Sequence, residues 1–211
     1  MWPFPRDQHA SLWHSDDPIR EELFGSERLA AHARSLALAQ DLIVKTGPGL
    51  PLAARLAENE KVLLETYETT AAAVAEGRTI TPANEELIDN YHVVEKQIHQ
   101  IRSDLPAGYY RVLPKLASGP FAGYPRVFGL AWAYVAHTDS NLDREGLLNY
   151  VSAYQEIQPL TIGELWAISI TLRIVLIENL RRLAERIRRS RSERDTADRI
   201  ADRLLGARGV A

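Results

Sequence analysis

The stretch Leu165–Ile177, LWAISITLRIVLI, constrains this chain more than any other part of it. Apolar residues occupy nearly every helical position there, and Arg173 is its one charge. A helix that is apolar on nearly all sides has to be enclosed by other elements. Thr161 and Glu164 stand three apart just ahead of it, the spacing of a capping box, in which each side chain accepts from the other residue's backbone N–H. The helix is therefore expected to start near Ile162 and to run at least to Ile187, with Glu164, Thr171, Glu178 and Glu185 as its polar line. No window reaches about 18 uninterrupted apolar residues, the length of a membrane span. The nearest approach, Ile162–Ile177, is interrupted by Glu164 and Arg173, which predicts the buried central helix of a soluble segment.

The remaining pattern is also helical. Leu29, Ala33, Leu36 and Ile43 recur at helical spacing after Ser26, and Gly47-Pro48-Gly49 ends that run. Leu52–Glu76 reads as a second helix, with Leu56, Leu63, Tyr67 and Val74 on one face. Thr81 caps a third, with Pro82 at the favoured first position. Its stripe, Leu87, Tyr91, Val94, Ile98, Ile101 and Leu105, alternates three and four apart. Short turns between these three predict antiparallel neighbours. Residues 105–125 carry four prolines and three glycines, so they cannot form one helix. They read as an ordered aromatic connector with a short helix near Tyr110–Leu113. Helices resume at about Arg126–His137 and Arg144–Gln158. No segment shows sustained period-two alternation, so the fold class is all-α, a multi-helix bundle. Residues 1–17 read as an N-terminal arm that packs Trp2 and Trp13 onto the domain, 18–190 as the helical domain, and 191–211 as an arginine-rich helical tail.

With 211 residues the chain can bury a sizeable core. It has no cysteine, which excludes disulfides and thiolate metal sites. The opening MWPFPRDQHASLWH lacks the basic and then apolar stretches of a secretory signal. Net charge is −3, but from Arg173 onward eleven arginines face six acidic residues. Glu185, Glu193, Asp195, Asp198 and Asp202 interrupt the basic run, so nucleic acid is not an expected partner.

Three groups are candidates for more than packing. His92, Glu95 and His99 lie on one side of the third helix, and imidazole and carboxylate at that spacing can hold a divalent ion. A further ligand is needed, with His137 as the candidate; the competing reading is a polar flank beside the apolar stripe. Arg173 shares a face with Trp166, Ser169, Ile170, Ile177 and Leu180, which turns it inward. A buried guanidinium needs a carboxylate, and Asp139, Glu156 or Glu95 can supply one. Tyr109, Tyr110, Phe121, Tyr124, Phe128, Trp132 and Tyr134 surround the connector. Tyr109, Tyr110, Tyr124 and Trp132 are candidates for a sugar or partner surface, although aromatic residues at helical spacing more often pack in a core. No G-x-S-x-G, G-x-x-x-x-G-K or G-x-G-x-x-G occurs, so no catalytic residue and no cofactor-binding residue is assigned.

Asn90–Ala184 carries a more specific signal. The runs NYHVVEKQIHQIRSDLPAGYYRVLPKLASGPFAGYPRVFGLAWAYVAHTDSNLD and PLTIGELWAISITLRIVLIENLRRLA resemble the amino-terminal region of bacterial cyclic β-1,2-glucan synthases, large inner-membrane glycosyltransferases. The resemblance implies a parent that polymerises glucose from UDP-glucose with a divalent metal. Its glycosyltransferase domain lies among membrane helices, and a later phosphorylase-like domain trims chain length. Neither Asp-x-Asp nor Gln-x-x-Arg-Trp, the strings such an enzyme needs, occurs here. What matches is a non-catalytic scaffold or docking region on the cytoplasmic side, with the remaining domains of the synthase as its partners. In that setting Arg181, Arg182, Arg186, Arg188 and Arg189 form a candidate docking or anionic-membrane surface. The alternatives are a stand-alone helical module that binds glucan or protein through the aromatic connector, and a regulatory helical domain with a metal at the His92 flank.

Overall fold

The computed structural model describes residues 15, 17–43, 47, 49 and 51–206. Trp2 and Trp13 of the arm, and the tail beyond Gly206, lie outside the described residues. Seven helices appear among those described: α1 (Ser26–Ala39), α2 (Leu52–Ala75), α3 (Pro82–Asp104), α4 (Ala107–Val112), α5 (Arg126–Thr138), α6 (Arg144–Gln155) and α7 (Ile162–Gly206). No strand occurs among the described residues; two isolated antiparallel bridges, Leu42 with Leu116 and Lys115 with Pro125, hold the connector. The architecture is all-α.

Local chemistry sets the helix starts. Thr81 accepts from Asn84 N–H at the head of α3, with Pro82 in the first turn. Asp143 does the same for Gly146 N–H at the head of α6, at 2.6 Å. The box at α7 is reciprocal: Glu164 N–H donates to Thr161 Oγ1 at 3.2 Å, and Thr161 N–H to Glu164 Oε2 at 2.8 Å. From there α7 runs 45 residues, about 65 Å at 1.5 Å per residue.

α7 packs against α2, α3 and α5, which makes it the element shared by two layers. In one layer α2 and α3 lie together along it. Tyr67 stacks on Tyr91 with centroids 4.4 Å apart, and Arg102 of α3 pairs with Glu60 of α2. The other layer holds α1, α5 and α6, and here the fold departs from the sequence expectation. The main partner of α1 is α6, with α5 second, rather than α2. The inward face of α1 is Leu29, Ala33 and Ala37, all buried. Such small side chains let another helix approach closely, and α6 meets α1 with Ala153 and Tyr154 also buried. Leu38, on the outer side of α1, is exposed.

The connector holds one short helix, α4, and folds back on α5. Buried Lys115 donates from Nζ to the carbonyls of Tyr110, Arg111 and Leu113 at 2.9, 3.2 and 2.7 Å. It thereby caps the carbonyls at the end of α4, and burial lowers its ammonium pKa. Gly49, at φ +61°, lies against it; a Cβ there would meet Lys115 Cε at 2.3 Å. Only glycine fits that backbone.

Candidate functional site

The polar interior is where these elements bring chemistry-bearing groups together. Its largest cluster is centred on Glu178, 1% exposed, on α7. Arg55 of α2 grips it with two bonds of 2.8 Å, from Nε and Nη2. One turn further along α7, Arg182 Nε donates to it at 2.8 Å and Arg181 Nη2 at 3.1 Å. Arg181 also pairs with Glu185. Arg182 reaches the Asp17 carbonyl at 3.0 Å and lies 5.0 Å from the Trp132 ring centroid. One carboxylate, with its arginines, thus ties the strap that precedes α1 (residues 17–25), α2, α5 and α7. Burial pushes its pKa up, but the hydrogen bonds and charges of Arg55 and Arg182 outweigh that and bring it down to about 2.

A second buried pair lies at the other end of α5. Arg126 donates to Glu164 from Nε at 2.5 Å and from Nη2 at 2.8 Å. It also reaches the Gln158 Oε1 at 3.1 Å and the Pro159 carbonyl at 2.8 Å. Glu164 therefore closes the capping box and neutralises a buried guanidinium at once. The sequence reading assigned Glu164 only the first role and overlooked Arg126. The usable signal was a carboxylate on the inward line of an otherwise apolar helix, which requires a cation.

The third cluster joins α1, α5 and the strap before α1. Phe24 stacks on His137 at 3.9 Å, and His32 meets the edge of both rings. His137 Nδ1 lies 2.8 Å from the Glu22 carbonyl. Desolvation, and then the neighbouring His137, push the His32 imidazole down to about 4. A cleft of about 220 Å³ opens between the strap and the α5–α7 seam, with Ile19, Trp132 and Arg182 among its walls.

These positions correct several expectations. His92, Glu95 and His99 are exposed on α3, while His137 is buried in the Phe24 stack. Among the described residues no group of three histidine, aspartate or glutamate side chains could hold a metal. Arg173 does form an ion pair, but with Asp104 at 2.9 Å. Asp139 pairs instead with Arg20, and Glu156 with Arg34; Glu95 is exposed on α3. The pair is also partly solvated, because the face of Arg173 meets the end of α3 and not the centre of the bundle. Tyr124 and Trp132 are buried, and Tyr109 and Tyr110 partly so. Phe121 and Phe128 join Tyr124 and Trp132 in one cluster, with centroids 5.2–6.0 Å apart. They are core, which removes Tyr124 and Trp132 from any sugar-stacking surface. Arg181 and Arg182 are buried in the Glu178 cluster and leave the proposed basic surface; Arg186, Arg188 and Arg189 are exposed.

Fold and interior together define a class: an all-α domain whose buried charges engage one another and join helices. No helix among the described residues is long and apolar enough to cross a membrane. The sequence is 45% identical, over 202 residues and 95% of this chain, to the cyclic beta-(1,2)-glucan synthase NdvB of Rhizobium meliloti (strain 1021). The chain spans 7% of that relative's length. No protein-family profile matches it. The resemblance read over Asn90–Ala184 thus extends across nearly the whole chain.

Proposed function

We propose that this chain is a non-catalytic helical scaffold and docking domain of a cyclic β-1,2-glucan synthase. On this reading the whole polypeptide polymerises glucose from UDP-glucose at the bacterial inner membrane, and this domain lies on the cytoplasmic side. The observation that carries the reading is the 45% identity over nearly all of this chain against 7% of the relative. The buried charges support a scaffold role: Arg55 and Arg182 bind Glu178, and Arg126 binds Glu164. UDP-glucose and a divalent metal belong to other parts of the parent, and those parts are the partners of this domain. Exposed Arg186, Arg188 and Arg189 add weak, salt-sensitive contact with anionic lipid, at most about 1 kcal/mol each.

The test has two arms. An antibody against residues 26–206 reports the size of the native polypeptide, and the purified segment is incubated with labelled UDP-glucose. A far larger, membrane-associated polypeptide and an inert segment are expected. A native product of only 211 residues, or glucose transfer by the segment above a mock purification, overturns the proposal.

A further inference from the structure

The first turns of α7 expose large apolar side chains on one side. Ile162 is 77% exposed, Trp166 75% and Leu165 39%. The short helix α4 is joined to this turn by the Tyr109 hydroxyl, which donates to the Gly163 carbonyl, and leaves the apolar residues of α7 open. These residues cannot turn inward. On the other side of the same turn Glu164 and Ala167 are fully buried, and Glu164 is held by Arg126 and by the capping box. The helix is fixed in rotation, so the apolar ridge is presented already ordered, which lowers the entropy cost of covering it.

Resting on the reading above, we infer that the Ile162–Leu165–Trp166 ridge docks an apolar segment of the same polypeptide from outside these 211 residues. Area is the first argument. The three side chains of the ridge expose on the order of 400 Å², about half of what each partner buries in a stable association of separate molecules. A tether changes that requirement, since a linked partner is present at an effective concentration of about millimolar. The 7% span of this chain on its relative leaves ample polypeptide to supply the occupant. Charge is the second argument. Surfaces that lie in anionic membranes set basic residues beside apolar ones. Positions 162, 165, 166 and 169 carry none, Arg173 is engaged by Asp104, and Arg111 is the single cation of α4. The exposed arginines at 186–189 lie about 30 Å further along the helix, too far to act with the ridge.

The full-length polypeptide carrying Trp166→p-benzoylphenylalanine is irradiated in its native membranes, with a probe at exposed Lys61 as control. Cross-linked peptides are identified by mass spectrometry. The expected product is an intrachain link from position 166 to an apolar peptide outside residues 1–211. Its yield falls about tenfold or more when Ile162→Asp sets a carboxylate on the ridge. Trp166→Ser leaves the melting of the isolated domain unchanged, which separates docking from folding. A dimer-sized product, lipid adducts alone, a yield no higher than at Lys61, or no effect of Ile162→Asp overturns the inference. A native polypeptide of only 211 residues removes the functional reading and this inference with it. A large polypeptide without the cross-link removes the inference alone.

Discussion

Replacing Glu178 by glutamine keeps the shape of the side chain and removes the charge on which three arginines converge. The carboxyl ionises at about 2 in the folded chain against an ordinary 4.5. At 1.36 kcal/mol per pKa unit that difference stabilises the fold by about 3 kcal/mol at neutral pH. The figure agrees with the roughly 3–5 kcal/mol lost when one partner of a buried ion pair is removed. Because the folded pKa is depressed, the contribution is complete above 4.5 and disappears as pH falls through 2. Glu178→Gln should therefore lower the melting midpoint by about 6–12 °C at pH 7, for a chain of this size. Its deficit should shrink steadily from pH 4.5 downward, as wild type loses the same charge. Urea titrations of both proteins at pH 7, 5, 4 and 3 measure this. Equal stability at pH 7, or a deficit unchanged down to pH 3, would show that the Arg55–Glu178–Arg182 geometry does not carry the energy assigned to it.

Other variants probe other parts of the same account. Arg126→Met should cost about 3 kcal/mol in urea unfolding, because Glu164 is left buried without its cation; restoring apolarity with Glu164→Met in the double variant should recover part of the loss. Arg173→Leu should cost only about 1 kcal/mol or less, since its pair with Asp104 is partly solvated; thermal melts check this. Asn59 is fully buried, and neither atom of its amide makes a hydrogen bond, so Asn59→Leu should raise the melting midpoint, by about 1 kcal/mol in stability. His32 titrates at about 4 when folded against 6.5. The unfolded chain takes up that proton first, so stability should fall as pH drops from 6.5 to 4, by about 1–2 kcal/mol after allowing for partial exposure. His32→Phe should flatten that part of the pH profile.

The helix plan was legible where local chemistry decides it. The Thr81–Pro82 start, the Thr161–Glu164 box and the three-four stripe of α3 each rest on residues a few positions apart, and the structure shows all three. Partner choice was less legible, because it depends on shape across long separations. The alanines at 33 and 37 favour close approach by another helix, but no feature of the sequence says that α6, more than a hundred residues away, provides it. Arg173 was turned too far inward for a related reason. An apolar period marks which side of a helix is greasy but not where along its length neighbouring helices end. The apolar pattern also hid the exposure of Ile162 and Trp166, which lie on the outer side of a turn whose other side, Glu164 and Ala167, is fully buried. Lys115 went unnoticed altogether, since three carbonyl partners leave no pattern in side-chain sequence.

The proposed scaffold role meets its most direct test in the full-length polypeptide carrying Glu178→Gln. Glucan synthesis from UDP-glucose is measured in membranes across temperature, alongside the melting of the isolated variant domain. If the domain supports synthesis by holding its shape, the variant synthesises at the wild-type rate below its lowered melting range and loses activity within it. A rate depressed at every temperature, while circular dichroism shows the domain intact, would place Glu178 in the chemistry and contradict the account.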